Sequence, residues 1–280
     1  MSILGRRIID TVKKNLPFLA LPVPPYASSQ YWERVYSGLN ESDCHEWANV
    51  SLTDLLEPGR VIYSNRQTKE PKGDMGHYLN IPSIKSNDRD EKCCTILNLG
   101  CGNSNFGLEV HQYLDRSLGL KNQMIQTDVS ESVIFSMRDR YKDQYPRMTF
   151  EHADAFNLVY QNLDAVIDKG LVDAIFCSNP EKILSILKSV NYSLRTGGVF
   201  MFLSLSHPDH VLSSIETSIE NKQSKEGIKF VNEPQDIWKN KWRIEVRELS
   251  KIYSYKLLKV EGMDTNDDEI PKMRLKVRRK

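Results

Sequence analysis

The residues with the clearest chemical potential are two glycines and three aspartates set at the ends of successive apolar runs. Leu99-Gly100-Cys101-Gly102-Asn103-Ser104 follows the short run Thr95 to Leu99 and precedes a helical pattern that begins near Phe106. Glycine at such a turn lacks the Cβ that would keep a ligand off the backbone. In an open α/β sheet, ligands bind beyond the carboxyl ends of the strands, where such turns lie. A dinucleotide fingerprint requires G-x-G-x-x-G. Asn105 stands in place of the third glycine, so Gly100 and Gly102 suit a nucleotide-like ligand without favouring a pyrophosphate. Asp128 closes the next run, Met124 to Asp128. A carboxylate there can accept hydrogen bonds from both hydroxyls of a ribose. Its plainer use is as a helix N-cap, a task that Ser130 can also perform. Asp154, in His152-Ala153-Asp154-Ala155, follows the third run. It can accept a hydrogen bond from an adenine amino group while a following backbone N–H reaches the ring. Taken in order, these positions match the parts of an adenosyl cofactor.

A fourth run ends in Asp168-Lys169-Gly170-Leu171-Val172-Asp173-Ala174. Two acids, a lysine and a glycine are more than a loop at the mouth of a sheet needs; a solvated turn is the alternative. By its position, Asp168 is the candidate catalytic group, able to orient an acceptor if that acceptor is an amine. A lysine amine has a reference pKa of ~10.4 and must lose its proton before it can act as a nucleophile.

The elements that must carry these residues alternate between strand and helix. Strands are expected at 95–99, 124–128, 148–152, 163–168 and 199–204, with helices at 106–118, 130–141, 179–194 and 208–220. Ser178 and Glu181 fit a capping box, with Pro180 tolerated in the first turn, and Gly197-Gly198 punctuates the helix end. Segments 243–248 and 252–260 form a closing antiparallel hairpin. This order predicts an α/β, Rossmann-like, seven-stranded and mostly parallel sheet, with helices on both faces and a C-terminal antiparallel hairpin. Residues 28–262 form that domain. Residues 28–57 read as helical pieces, and the polar stretch 64–91 reads as a surface insertion. Residues 263–280 are a charged tail, and 1–27 are an N-terminal arm or an organelle presequence.

Composition narrows the function classes. The 280 residues include 38 Lys plus Arg and 37 Asp plus Glu. That balance gives no reason to expect nucleic acid or an anionic membrane as partner. No apolar run approaches ~20 residues, so no membrane span is expected. The five cysteines form no C-x-x-C pair and the histidines show no ligand spacing, so neither disulfides nor a metal is expected.

Tyr31-Trp32-Glu33-Arg34-Val35-Tyr36, His45-Glu46-Trp47, Leu99 to Ser104 and Asp168 to Ala174 together resemble the methyltransferase-like 13 group. That group includes lysine methyltransferases acting on translation elongation factor 1 alpha and on mitochondrial citrate synthase. The resemblance covers roughly residues 28–260. It implies S-adenosylmethionine as cofactor, contacted by Trp32, Tyr36, Trp47, Gly100, Asp128, Val129, Asp154, Ala155 and Lys169, and a protein lysine as acceptor. Aromatic faces suit both a sulfonium cation and an adenine ring; ordinary core aromatics are the alternative. The chain departs from the pattern in three ways. Leu171-Val172 stands where Thr and a large apolar residue are usual, and the insertion at 64–91 is long. The strand-end acid common in this fold is Asn98 here, a position at which the group itself varies. A small-molecule O- or N-methyltransferase and a catalytically silent binding protein remain as alternatives, because fold does not determine substrate. The compartment expected is the cytoplasm, or the mitochondrion if the basic N-terminus is a presequence.

Overall fold

The computed structural model describes residues 23–39, 48, 50, 52–56, 60–64, 78–81, 93–215, 242–249 and 252–260. The helices are α1 (Ser29–Ser37), α2 (Leu52–Leu56), α3 (Phe106–Gln112), α4 (Glu131–Tyr141), α5 (Leu171–Ser178) and α6 (Ile183–Ser193), with a further helical stretch at 208–215. The strands are β1 (Arg60–Ser64), β2 (Cys94–Leu99), β3 (Asn122–Asp128), β4 (Met148–His152), β5 (Leu163–Lys169), β6 (Leu194–Ser204), β7 (Trp242–Glu248) and β8 (Tyr253–Lys259).

All eight strands share one sheet in the order β1-β7-β8-β6-β5-β2-β3-β4. The central strands pair in parallel, β4 with β3, β3 with β2, β2 with β5 and β5 with β6. β7 and β8 form the antiparallel hairpin, and β8 joins it to β6. The strand count corrects the expected seven. The eighth, β1, pairs antiparallel with β7 at the sheet edge. Its five residues are nowhere fully buried, the run Val61-Ile62-Tyr63 is short, and its partner among the described residues, β7, lies far along the chain.

Both sheet faces are covered, which is why the inner strands read as nearly continuous apolar runs. β5, for example, is buried at every position except Lys169. On one face Leu97, Leu99, Val166, Phe200 and Phe202 pack against Ile175, Ile186, Val190 and Val211 from α5, α6 and 208–215. On the other, Ile96, Met124, Ile167 and Met201 meet Phe106, Val110, Val133 and Met137 from α3 and α4. α6 buries Ile183, Ile186, Leu187 and Val190, the i, i+3, i+4, i+7 stripe of a helix lying on a sheet.

Several local expectations change. α3 ends at Gln112 and passes into a π-turn over Tyr113–Ser117. α5 was not anticipated: Leu171, Val172, Ala174, Ile175 and Phe176 are apolar on every side, so no helical period is visible. Ser178 does not cap the next helix; its hydroxyl donates to Ala174 O at 3.0 Å, inside α5. Pro180 instead opens a short 3₁₀ turn, Pro180–Lys182, that leads into α6. Gly197 and Gly198 lie within β6 rather than at a helix end. Within the stretch read as a surface insertion, residues 78–81 are described, and Leu79 and Ile81 are buried in the core. No described helix is long and apolar enough to cross a membrane.

Candidate functional site

β2 delivers the chain to its turn at Gly100. Gly100 and Gly102 adopt φ of +62° and +52°, the left-handed region that glycine tolerates without a Cβ penalty. A Cβ on Gly100 would lie 2.9 Å from Leu171 Cβ, at the start of α5. One on Gly102 would lie 2.4 Å from the Tyr36 hydroxyl. The turn is therefore closed in from two sides, by α5 and by α1. It is tied to the next strand by two bonds: Cys101 N–H donates to Thr127 O at 2.8 Å, and Gly102 N–H donates to Asp128 Oδ2 at 2.9 Å.

Asp128 is buried at the end of β3, and Ser130 N–H donates to its Oδ1 at 3.0 Å. Burial raises its carboxyl pKa, against the lowering effect of the backbone N–H groups around it. Each carboxylate oxygen accepts one of these two bonds and retains capacity for another. Ser130 provides the α4 cap, accepting from Val133 N–H at 3.3 Å, so Asp128 is left to hold the turn and face the cleft.

Asn98 sits behind the turn. Its Nδ2 donates to Gln126 Oε1 at 2.6 Å, and both residues are buried. The pair lies under Gly107 of α3, where a Cβ would come within 2.4 Å of Gln126 Nε2 and 2.6 Å of Asn98 Nδ2. Asn98 thus forms a neutral amide pair beneath the helix, satisfying buried polar atoms without a charge.

A partly open cleft lies at this end of the sheet. Of the residues singled out from the sequence, Trp32, Tyr36, Gly100, Gly102, Asp128, Val129, Ala155 and Lys169 line it. Trp32 and Tyr36 stack with centroids 5.8 Å apart, and Lys169 Nζ lies 5.4 Å from the centre of the Phe106 ring. Trp47 lies outside the described residues.

Two carboxylates differ from expectation. Asp154 is exposed and is absent from the cleft wall. It accepts from Phe156 N–H and Asn157 Nδ2, each at 2.9 Å, closing a local turn that leaves Ala153 and Ala155 in the wall. Asp168 was expected to meet an incoming amine at the mouth. Instead it is fully buried and accepts from Leu171 N–H at 2.8 Å and Val172 N–H at 3.0 Å. The first N–H groups of a helix have no intrahelical partner, and the Asp168 carboxylate supplies one at α5, past a Gly170 with φ of 117°. Burial pushes its pKa up to about 7, with the nearby Asp173 charge adding to the rise. Asp168 is a positioning residue for α5, whose Leu171 and Ala174 line the cleft.

Leu171, Ala174, Ser104 and Ala153 are wall residues that the sequence reading did not single out. Glu33, within Tyr31-Trp32-Glu33-Arg34-Val35-Tyr36, carries no chemical signal of its own in the sequence. Its partners, Ser130 and Ser132, lie just after Asp128-Val129, the one sequence cue that α1 is held near Asp128.

The glycine turn, the buried carboxylate beside it and the aromatic wall fit an adenosyl cofactor. Known proteins agree. A family model described as a methyltransferase domain matches residues 90–252. The chain is 31% identical over 123 residues to the eEF1A lysine and N-terminal methyltransferase of Bos taurus, across 42% of this chain and 17% of that protein. The Mus musculus protein of the same name is 29% identical over 193 residues, across 67% of this chain and 22% of its own length. The chain thus spans about a fifth of the length of these relatives. Among solved structures, it is similar to a SAM-dependent methyltransferase from Methanosarcina mazei, with 14% identity and a TM-score of 0.40, over 60% of this chain and 93% of that one. Because the family match takes in both glycines, Asp128 and the whole parallel sheet, the chain belongs to the methyltransferase-domain family, and S-adenosylmethionine is the cofactor its cleft fits.

Proposed function

We propose that the chain methylates the side-chain amine of a lysine in a protein substrate. The observation that carries this reading is the 29% identity over 67% of the chain to a relative named as an eEF1A lysine and N-terminal methyltransferase. S-adenosylmethionine supplies an electrophilic methyl group on a sulfonium. In this reading Gly100 and Gly102 admit the cofactor to the backbone, Asp128 accepts from its ribose hydroxyls, and Val129 and Ala155 flank its adenine. Trp32 and Tyr36 present aromatic faces to its cationic and ring portions.

The acceptor's requirements fit the rest of the wall. An ammonium must lose its proton to act, and apolar surroundings or a nearby cation favour the neutral amine. Leu171 and Ala174 supply apolar wall and Lys169 a positive charge. Asp168 acts through α5: by capping its first turn it holds Leu171 against Gly100. The chemistry then rests on positioning and water exclusion, which suit a transfer between two bound groups.

The test is incubation of the purified protein with methyl-tritiated cofactor and cell extract, followed by mass spectrometry of labelled products. Methyl groups on lysine Nζ of a protein are expected. Label confined to small molecules, or to protein N-terminal amines, would overturn the lysine assignment.

A further inference from the structure

Helix α1 reaches the cleft wall with none of its residues fully buried. Apolar burial is the usual source of helix stability in proteins; on α1 it is limited to partial burial, with Tyr36 packed against the core on the α3 and α4 face, so further anchors must hold Trp32 over the cleft. One anchor is the strap before it. Trp32 Nε1 donates to Tyr26 O at 2.7 Å, the two rings stack with centroids 5.9 Å apart, and Ala27 packs on the core that contains Ile175 and Phe176 of α5. The other anchor is polar. Glu33 Oε2 accepts from Ser130 Oγ at 2.6 Å and from Ser132 N–H at 3.5 Å, and Glu33 Oε1 accepts from Ser132 Oγ. These bonds hold the Glu33 carboxyl below its usual range, so it is an ionised acceptor at neutral pH. Ser130 N–H in turn donates to Asp128, which accepts from Gly102 N–H. A continuous hydrogen-bonded path therefore runs from α1 through the start of α4 to the glycine turn.

We propose that Glu33 is a positioning residue that clasps α1 to the first turn of α4, keeping Trp32 and Tyr36 over the cleft and setting how fast the cofactor leaves. The inference rests on the cofactor occupying the cleft between Gly100, Asp128 and Trp32. The clasp acts on α1 and not on the sheet: Glu33 joins no core cluster, whereas the β2 and β5 residues of the site are secured by burial on both faces.

The test uses the full chain with Glu33→Ala and, from the opposite side of the clasp, Ser132→Ala. Stopped-flow release of S-adenosylhomocysteine should be about tenfold faster in Glu33→Ala, with KM for the cofactor raised and kcat not lowered more than about twofold. Ser132→Ala should give a smaller acceleration that disappears in the Glu33→Ala background, as expected when both act through one contact. Hydrogen exchange of the ligand-free protein should quicken at residues 29–37 and stay unchanged at 94–99 and 163–169. Release rates within about twofold of wild type, exchange that quickens equally in the sheet, or kcat falling at constant KM would each overturn the clasp. A wild-type chain that binds no S-adenosylhomocysteine would overturn the cleft reading itself, a result distinct from normal binding with silent variants.

Discussion

The two sides of the cleft are built by opposite means. The inner side, from Gly100 to Asp128, stands on the ends of strands buried on both faces, with backbone bonds joining the turn to β3. The outer side, α1, has no fully buried residue and is held by stacked aromatic rings, partial packing of Tyr36 on the core and the Glu33 carboxylate. Elements with few buried apolar contacts are those that open at low free-energy cost. A rigid wall suits fixing the geometry of a bound ligand, and a lightly held wall suits its entry and exit. Damage to the inner side should therefore abolish binding, whereas damage to the outer side should change rates and affinity by modest factors.

The sharpest break in that comparison is Gly100→Val. The new side chain would need φ of +62° and would press on Leu171 Cβ, which belongs to the start of a helix and has little room to swing away. Calorimetry should show cofactor affinity reduced by about 100-fold or more, ~3 kcal/mol. Gly102 is closed in by the far end of the Tyr36 side chain, which can rotate, so Gly102→Ala should be milder than Gly100→Ala. Equal effects would remove the distinction between a fixed wall and a yielding one.

Asp128→Ala comes next. It removes the expected ribose acceptor and leaves Gly102 and Ser130 N–H without this partner. Thermal denaturation should register a stability loss of about 1–3 kcal/mol, and calorimetry a large loss of affinity. Retention of the wild-type dissociation constant would sink the assignment of Asp128 to the cofactor.

Asp168→Asn probes how the inner side holds α5. The folded-state pKa of Asp168, about 7, lies above that of the unfolded chain, so the folded protein holds this proton more tightly. The associated stability is fully present below the unfolded value of ~3.9 and is lost as pH rises toward the folded one. Urea denaturation from pH 4 to 7 should therefore show wild type losing ground to the Asn variant, with no further relative change above about pH 8. A constant difference across that range would mean that Asp168 does not titrate there.

On the outer side, Trp32→Ala should weaken cofactor binding by about 5- to 10-fold, ~1 kcal/mol for one aromatic face, while circular dichroism of the sheet stays unchanged. Unfolding would instead make Trp32 a core residue. The smallest effect is expected at Arg60, whose exposed ion pair with Glu248 links β1 to β7. Arg60→Ala should cost no more than about 0.5 kcal/mol, and a larger loss would mark the eighth strand as more than an edge addition.

What could be read from the sequence follows the same division. Gly100, Gly102 and Asp128 lie at the ends of apolar strands, so local pattern and order place them together at one end of a parallel sheet. The role of Asp168 was misread because a carboxylate after a strand looks the same whether it faces a substrate or caps a helix. Here α5 follows with no visible helical period, and the cap was hidden with it. Asp154 is a related case: a short acid before Ala-Phe-Asn can close its own turn, as it does here with Phe156 N–H and Asn157 Nδ2, and only the fold reveals which way it points.

By itself the sequence determined the alternation of strands and helices, the glycine turn and the acid after it, because those depend on period, turn chemistry and nearest neighbours along the chain. Tertiary structure alone decided the remainder: the eighth strand at the edge, the neutral Asn98–Gln126 pair under Gly107, the burial of Asp168, and the clasp from Glu33 to Ser130 and Ser132. Each of those depends on groups that are remote in sequence and meet only when the sheet has assembled. Residue type then sets the strength of the contact, but packing sets whether the contact exists.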